Sequence, residues 1–263
     1  MELYLITGFL GAGKTTFLKN FARQFAGRRL RLIINEFGRA GVDGTLLREL
    51  DAALDEISNG SIFCACRLDQ FEAALEQAAA DAPDVVLVEA SGLADPTNVR
   101  RVLAQFPAVS YQGSVCVADA ARLEKVFSTA RACPRQLAVS SLVLLNKTDL
   151  ATEAQCAEAK ALILRANPAA RIRRTQFGRF EPEWLSLIVP DVDVDEVLDM
   201  PDITLQKAVL QIRPTMPFAA LQKCLVQLAG ETWRIKGFVR VPEGIFYVDC
   251  TGPEVRLTPW QGE

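Results

Sequence analysis

Apolar runs bounded by turn residues recur along the first part of the chain: ELYLIT, RLRLIIN, DVVLVEA, GSVCVAD and SLVLLN. Amphipathic stretches lie between them, with apolar residues at three- and four-residue spacing: Lys14–Ala26, Leu68–Ala80, Pro96–Gln105, Ala120–Ala132 and Glu153–Ala166. Strand-like runs alternating with helix-like ones predict an α/β fold, a mainly parallel, doubly wound sheet covered by helices.

The pattern changes at PDVDVDEVLDMPD, Pro190 to Asp202, where acidic residues and prolines predict an exposed linker. After it, TLQKAVLQIR, MPFAALQKCLVQLAG, TWRIKGFVRV, GIFYVDC and EVRLTPW read as strand, helix and three strands. The expected organisation is a first domain over 1–190, a linker over 191–202 and a small C-terminal α+β domain over 203–263. The second unit is small for independent stability and is expected to dock on the first.

Length and composition narrow the class. With 263 residues, half of them apolar and 23% charged, the chain can bury a sizeable core. No apolar run approaches the roughly 18 residues of a membrane span, so a soluble protein is expected, with no membrane partner. The start MELYLITGFL has no basic n-region and no small-residue cleavage site, which predicts a cytoplasmic location. The net charge of −3 comes from charges of both signs spread along the sequence, so no nucleic-acid partner is expected. Seven cysteines, at 64, 66, 116, 133, 156, 224 and 250, do not suggest a disulfide framework. Five stand alone in apolar or helical surroundings and read as small buried hydrophobes, and only Cys64 and Cys66 form a pair.

Residues 8–15, GFLGAGKT, match G-x-x-x-x-G-K-[ST] between the strand LYLIT and a helix. This is the phosphate-binding loop of a P-loop NTPase. Glycines 8, 11 and 13 let the backbone wrap closely, so that the amides of Gly11, Ala12, Gly13, Lys14, Thr15 and Thr16 can address phosphate oxygens. Lys14 reaches the β/γ phosphates and Thr15 ligates Mg²⁺. In SLVLLNKTDL, Asn146, Lys147 and Asp149 form N-K-x-D at the end of an apolar run. A carboxylate there accepts from the N1 and N2 donors of guanine, which adenine does not offer, so GTP is the expected nucleotide. Gln176, Phe177 and Gly178 form a turn placed to close over the base.

The run DVVLVEASG ends in Glu89 and Gly92. Glu89 suits a carboxylate that holds Mg²⁺, and the Gly92 amide suits a contact to the γ-phosphate. In IINEFGRAGVDGTLL, Glu36 and Asp43 sit among dense glycines, a composition suited to closing on the γ-phosphate. Either carboxylate could orient the attacking water or hold magnesium.

These elements in this order, together with NEFG, VDG and the NG-x-I-x-C stretch, resemble the CobW family of P-loop GTPases, relatives of the HypB and UreG metallochaperones. The resemblance extends to the tail, in RIKGFV at Arg234–Val239 and the closing RLTP. It implies a slow GTPase that dimerises with nucleotide and delivers a metal, commonly zinc or cobalt, to a client metalloprotein. The family's Cys-x-Cys-Cys stretch aligns with Asn59 to Cys64, where Ser61 and Phe63 replace two of the thiols and only Cys64 falls on a family position.

The chain has no histidine, and Cys64 and Cys66 supply two thiols where zinc or cobalt wants four ligands. Two readings follow. In an extended segment both sulfurs share a face, and a two-fold dimer would assemble four thiolates. Alternatively the pair binds no metal, and the GTP cycle opens and closes a surface for a client such as a corrinoid protein or a methyltransferase. A P-loop small-molecule kinase is a further alternative, against which N-K-x-D argues.

Overall fold

The computed structural model describes residues 1–36, 52–58, 68–190, 210–213, 215–232, 234–251 and 254–260. The chain divides into two compact units, Met1–Ile203 and Thr204–Glu263.

Among the described residues of the first unit, seven strands form one sheet. In chain order they are β1 (Glu2–Thr7), β2 (Leu30–Glu36), β3 (Ala53–Ser58), β4 (Val85–Glu89), β5 (Ser110–Asp119), β6 (Leu142–Asn146) and β7 (Arg171–Arg174). In space the order is β3-β2-β4-β1-β5-β6-β7, and every pairing is parallel. The helices are α1 (Lys14–Ala22), α2 (Leu68–Asp81), α3 (Val99–Leu103), α4 (Leu123–Thr129), α5 (Ala132–Ala138) and α6 (Glu153–Ala166).

The central strands read as continuous apolar runs because both their faces are buried. On β1, Tyr4 and Ile6 enter a core with Phe17, Leu18 and Phe21 of α1, while Leu3 and Leu5 enter a second core with Phe71 and Leu75 of α2. Period-two alternation of side chains thus divides one apolar strand between two helical layers. The first core is rich in rings: Phe21 meets Tyr4 and Phe180 edge-on at centroid distances of 5.5 and 4.9 Å, and Phe17 stacks on it at 5.2 Å. This packing fixes α1, and with it the loop between β1 and α1.

The structure departs from the sequence pattern in several elements. β3 and β7 are additional strands. Both lie at sheet edges, where one flank is unpaired and polar side chains are tolerated. DVVLVEASG is therefore the fourth strand in sequence, although it lies beside β1. The stretch expected as one helix over Ala120–Ala132 is the shorter α4, and α5 follows it with Pro134 in its first turn, a position where the missing N–H is harmless.

In the second unit, α7 (Phe218–Glu231) packs on an antiparallel sheet of β8 (Arg234–Val241), β9 (Gly244–Thr251) and β10 (Glu254–Pro259), in the order β10-β9-β8. Leu221, Leu225 and Ala229, four residues apart, meet Val241, Val248 and Cys250. Of the strand expected over 204–213, only 210–213 are described, and they are irregular. Ile212 packs into this core without pairing, and Arg213 begins a turn that closes from its carbonyl to the amide of Met216.

Candidate functional site

The turn from β1 to α1 depends on backbone geometry open to glycine. Gly8, Gly11 and Gly13 have φ of 133, 76 and 102°, a region L side chains rarely adopt. At Gly8 a methyl group would collide with the carbonyl of Val117, and at Gly13 it would lie 2.5 Å from Asn146 Nδ2. Gly13 takes the N-cap position of α1, where no side chain caps the helix and no acidic residue sits in the first turn. The amides and positive dipole end of α1 are therefore presented to an incoming anion. Lys14 is buried, and its Nζ donates to the Phe9 carbonyl at 3.3 Å; Thr15 is half-buried and Thr16 exposed.

Asn146, at the C-terminal end of β6, ties this loop to the opposite end of the site. Its Nδ2 donates to the Ala12 carbonyl at 2.9 Å, and its Oδ1 accepts from the Gly178 amide at 3.0 Å. Lys147 holds a left-handed backbone, φ 59°, and its Nζ pairs with Asp119 at 3.0 Å. Asp149 is exposed. The Thr148 amide and hydroxyl both donate to the Thr175 carbonyl, at 3.3 and 3.1 Å, which fastens the N-K-x-D loop to the turn after β7. In that turn Gln176 and Phe177 are exposed, and Gly178 packs on the backbone of Phe17. Asn20 of α1 secures it by donating to the carbonyls of Phe177 and Gly178 at 3.1 and 2.9 Å.

On the other side of the loop, Glu89 ends β4 in register with Ile6 of β1 and is buried. Asn35, buried at the end of β2, donates to the Ile57 carbonyl at 3.1 Å and accepts from the Ser91 amide at 3.3 Å. Gly92 sits against the loop so closely that a Cβ there would be 2.7 Å from the amide nitrogen of Leu10. All of these groups lie at the C-terminal ends of parallel strands, where open α/β sheets bind ligands.

The structure thus brings together the 8–16 loop, Glu89, Gly92, Asn146, Lys147 and Gly178, with Asp149, Gln176 and Phe177 on the adjoining loops. Asp43, Cys64 and Cys66 lie outside the described residues, as does the side chain of Glu36. The remaining cysteines are free thiols: Cys116, Cys133, Cys156 and Cys250 are buried and Cys224 is half-buried. Burial pushes the Cys116 thiol up to about 12, against a weaker opposing hydrogen bond with Thr7. Among the described residues no group of three or more acidic, cysteine or histidine side chains could hold a metal ion.

Asp119 and Asn20 belong to the site without having been singled out by sequence. Asp119 carried a signal, as the terminal carboxylate of the apolar run GSVCVAD; Asn20, inside α1, carried none.

A family model described as "CobW/HypB/UreG, nucleotide-binding domain" matches residues 2–174, from the first residue of β1 through β7. The chain belongs to this family. Two curated members are a zinc chaperone CobW of Pseudomonas aeruginosa and the zinc chaperone YjiA of Escherichia coli. The first is 32% identical over 206 residues, 65% of this chain and 55% of the relative. The second is 26% identical over 226 residues, 82% of this chain and 66% of the relative. The chain thus spans between about half and two-thirds of the length of these family members. Among solved structures, Zn(II)-bound YjiA GTPase from Escherichia coli shares the fold at a TM-score of 0.50 and 19% identity, covering 100% of this chain and 91% of that one.

Proposed function

We propose that this chain is a GTPase that couples Mg²⁺-dependent GTP hydrolysis to delivery of a transition metal, zinc or cobalt, to a client metalloprotein. The observation that carries the reading is the Asn146 tie, which joins a phosphate-binding loop to an N-K-x-D loop at the C-terminal ends of the parallel strands. Zinc-chaperone relatives supply the cargo class.

The residues fit magnesium by their chemistry: the Thr15 hydroxyl and the buried Glu89 carboxylate are hard oxygen donors beside the loop. A magnesium ion held by these two side chains would supply positive charge against the phosphate oxygens. Lys14 and the α1 amides stabilise charge on the transferring phosphoryl group, and Asp149 selects guanine. Glu36 or Asp43 orients the attacking water, and the Gly92 amide reads the γ-phosphate. Cys64 and Cys66 hold the cargo, as half of a four-thiolate site completed by a second copy in a GTP-bound homodimer.

The replacements Ser61 and Phe63 favour a second reading. In it the nucleotide cycle switches a docking surface for a client such as a corrinoid protein or methyltransferase, and the chain carries no metal.

Phosphate release from GTP tests the shared core of both readings. It should require Mg²⁺, fall to background in Lys14→Ala and be absent with ATP; equal turnover of ATP would overturn it. Sedimentation of the protein with GDP and with a non-hydrolysable GTP analogue tests the dimer, which should form with the analogue alone.

A further inference from the structure

We propose that Gln136 is a positioning residue for nucleotide sensing, holding the backbone of the Ser91–Thr97 loop where the Gly92 amide can address a γ-phosphate; this rests on the GTPase reading above. Gln136 lies on α5 and is 1% exposed. Its Nε2 donates to two loop carbonyls, those of Gly92 at 3.2 Å and Ala94 at 2.9 Å. Both partners are acceptors, so the amide nitrogen must face the loop. Its Oε1 is buried without a hydrogen-bond partner among the described residues. Both amide hydrogens are thus directed at one segment.

The neighbouring residue works on the same loop. Arg135 pairs with Asp95, whose other oxygen accepts from the amide and hydroxyl of Thr97 at 3.2 and 2.7 Å. Burial raises the Asp95 carboxyl, but the Thr97 and Arg135 contacts outweigh it and hold the group below its usual range. Arg135 and Gln136 therefore grip the loop at 92, 94 and 95.

α5 can serve as a fixed post because its far end is secured from several directions. Asn167 Nδ2 donates to the carbonyls of Leu137, Ala138 and Ser140 at 3.1, 3.2 and 2.9 Å. Ser140 Oγ donates to the Gln136 carbonyl at 2.8 Å and lies 3.2 Å from Thr7 Oγ1 at the end of β1. The strand that launches the phosphate loop and the helix that holds the Gly92 loop thus share an anchor. With Leu10 against one side of Gly92 and Gln136 bonded to its carbonyl, the position of the amide is held by the protein's own contacts. That preorganisation lowers the cost of recognising a third phosphate and leaves diphosphate recognition to the 8–16 loop.

The test compares fluorescent GDP and a non-hydrolysable GTP analogue on wild type, Gln136→Met, Arg135→Ala and Arg135→Lys. Gln136→Met keeps length and loses both donors. It should bind GDP within twofold of wild type, bind the analogue roughly tenfold more weakly, and lower kcat for GTP about tenfold. Arg135→Ala should shift the analogue in the same direction by a smaller factor, and Arg135→Lys, which retains the charge beside Asp95, should restore it. Equal loss of both nucleotides in Gln136→Met would mark the residue as purely structural and overturn the proposal, as would wild-type discrimination in that variant. If wild-type protein itself prefers no guanine nucleotide, the GTPase reading fails instead.

Discussion

Asn146 donates to the carbonyl of Ala12 across 134 residues of sequence, at 2.9 Å, from the strand end that opens N-K-x-D. The side chain is buried and spends its oxygen on Gly178, so it holds the 8–16 loop, the N-K-x-D loop and the turn after β7 in one geometry. Asn146→Ala removes both bonds without altering a phosphate contact. Affinity for GDP and for a GTP analogue should fall together, by roughly 10- to 100-fold, about 1.4–2.8 kcal/mol. Titration calorimetry with each nucleotide measures this; selective loss of only one of them would contradict the role.

Two glycines with left-handed backbones separate the cost of strain from the cost of collision. Gly27, φ 82°, has no described atom beyond itself and its chain neighbours within 4 Å of the place a Cβ would take, so Gly27→Ala should cost about 1–2 kcal/mol from conformation alone. Gly8→Ala adds the clash with the Val117 carbonyl and distorts the phosphate loop. It should cost roughly 2–4 kcal/mol in urea unfolding and abolish nucleotide binding, whereas Gly27→Ala should bind normally.

The buried Cys116 thiol predicts alkaline sensitivity. Its folded value, about 12, lies above the 9.0 of an exposed thiol, so at pH 10 the folded state holds a proton that the unfolded state has released. Stability from this group is complete below pH 9 and is lost as pH rises toward about 12, at up to about 1.4 kcal/mol per pH unit. Tyr111, pushed up to about 12 by burial, adds a loss that begins near pH 10. Chemical unfolding of wild type and Cys116→Ala between pH 8 and 11 should show a steeper decline in wild type; parallel declines would refute the assignment.

Much of this arrangement is legible in the sequence because its signals are local. The phosphate loop is a contiguous spacing between a strand and a helix, and N-K-x-D closes an apolar run. The edge strands are not legible: Ala53–Ser58 carries Asp55, which pairs with buried Arg31 at 2.6 Å, and Arg171–Arg174 is basic with half its side chains exposed. Their strand character comes from ladder pairing with β2 and β6 and not from apolar content. Asn20 and Gln136 escape notice for a related reason. Each acts on a segment far away in sequence, and only the tertiary fold supplies its partner.

Cargo binding is testable apart from the nucleotide. Reduced protein titrated with Co²⁺ in the presence of a GTP analogue should develop thiolate-to-metal absorption at one ion per two chains, and Cys64→Ser/Cys66→Ser should lose it. No absorption with or without nucleotide would leave the metal-free switch as the reading.

The central claim, a guanine-selective hydrolase, is tested most directly by competition binding of GTP, ATP and xanthosine triphosphate to wild type and Asp149→Asn. Wild type should prefer GTP over ATP by at least about 100-fold, because adenine leaves the Asp149 carboxylate unmet. Asp149→Asn should lose most of its GTP affinity and gain affinity for the xanthine nucleotide, whose second oxo group matches an amide donor. Equal binding of ATP and GTP by wild type, or undiminished GTP binding by Asp149→Asn, would contradict it.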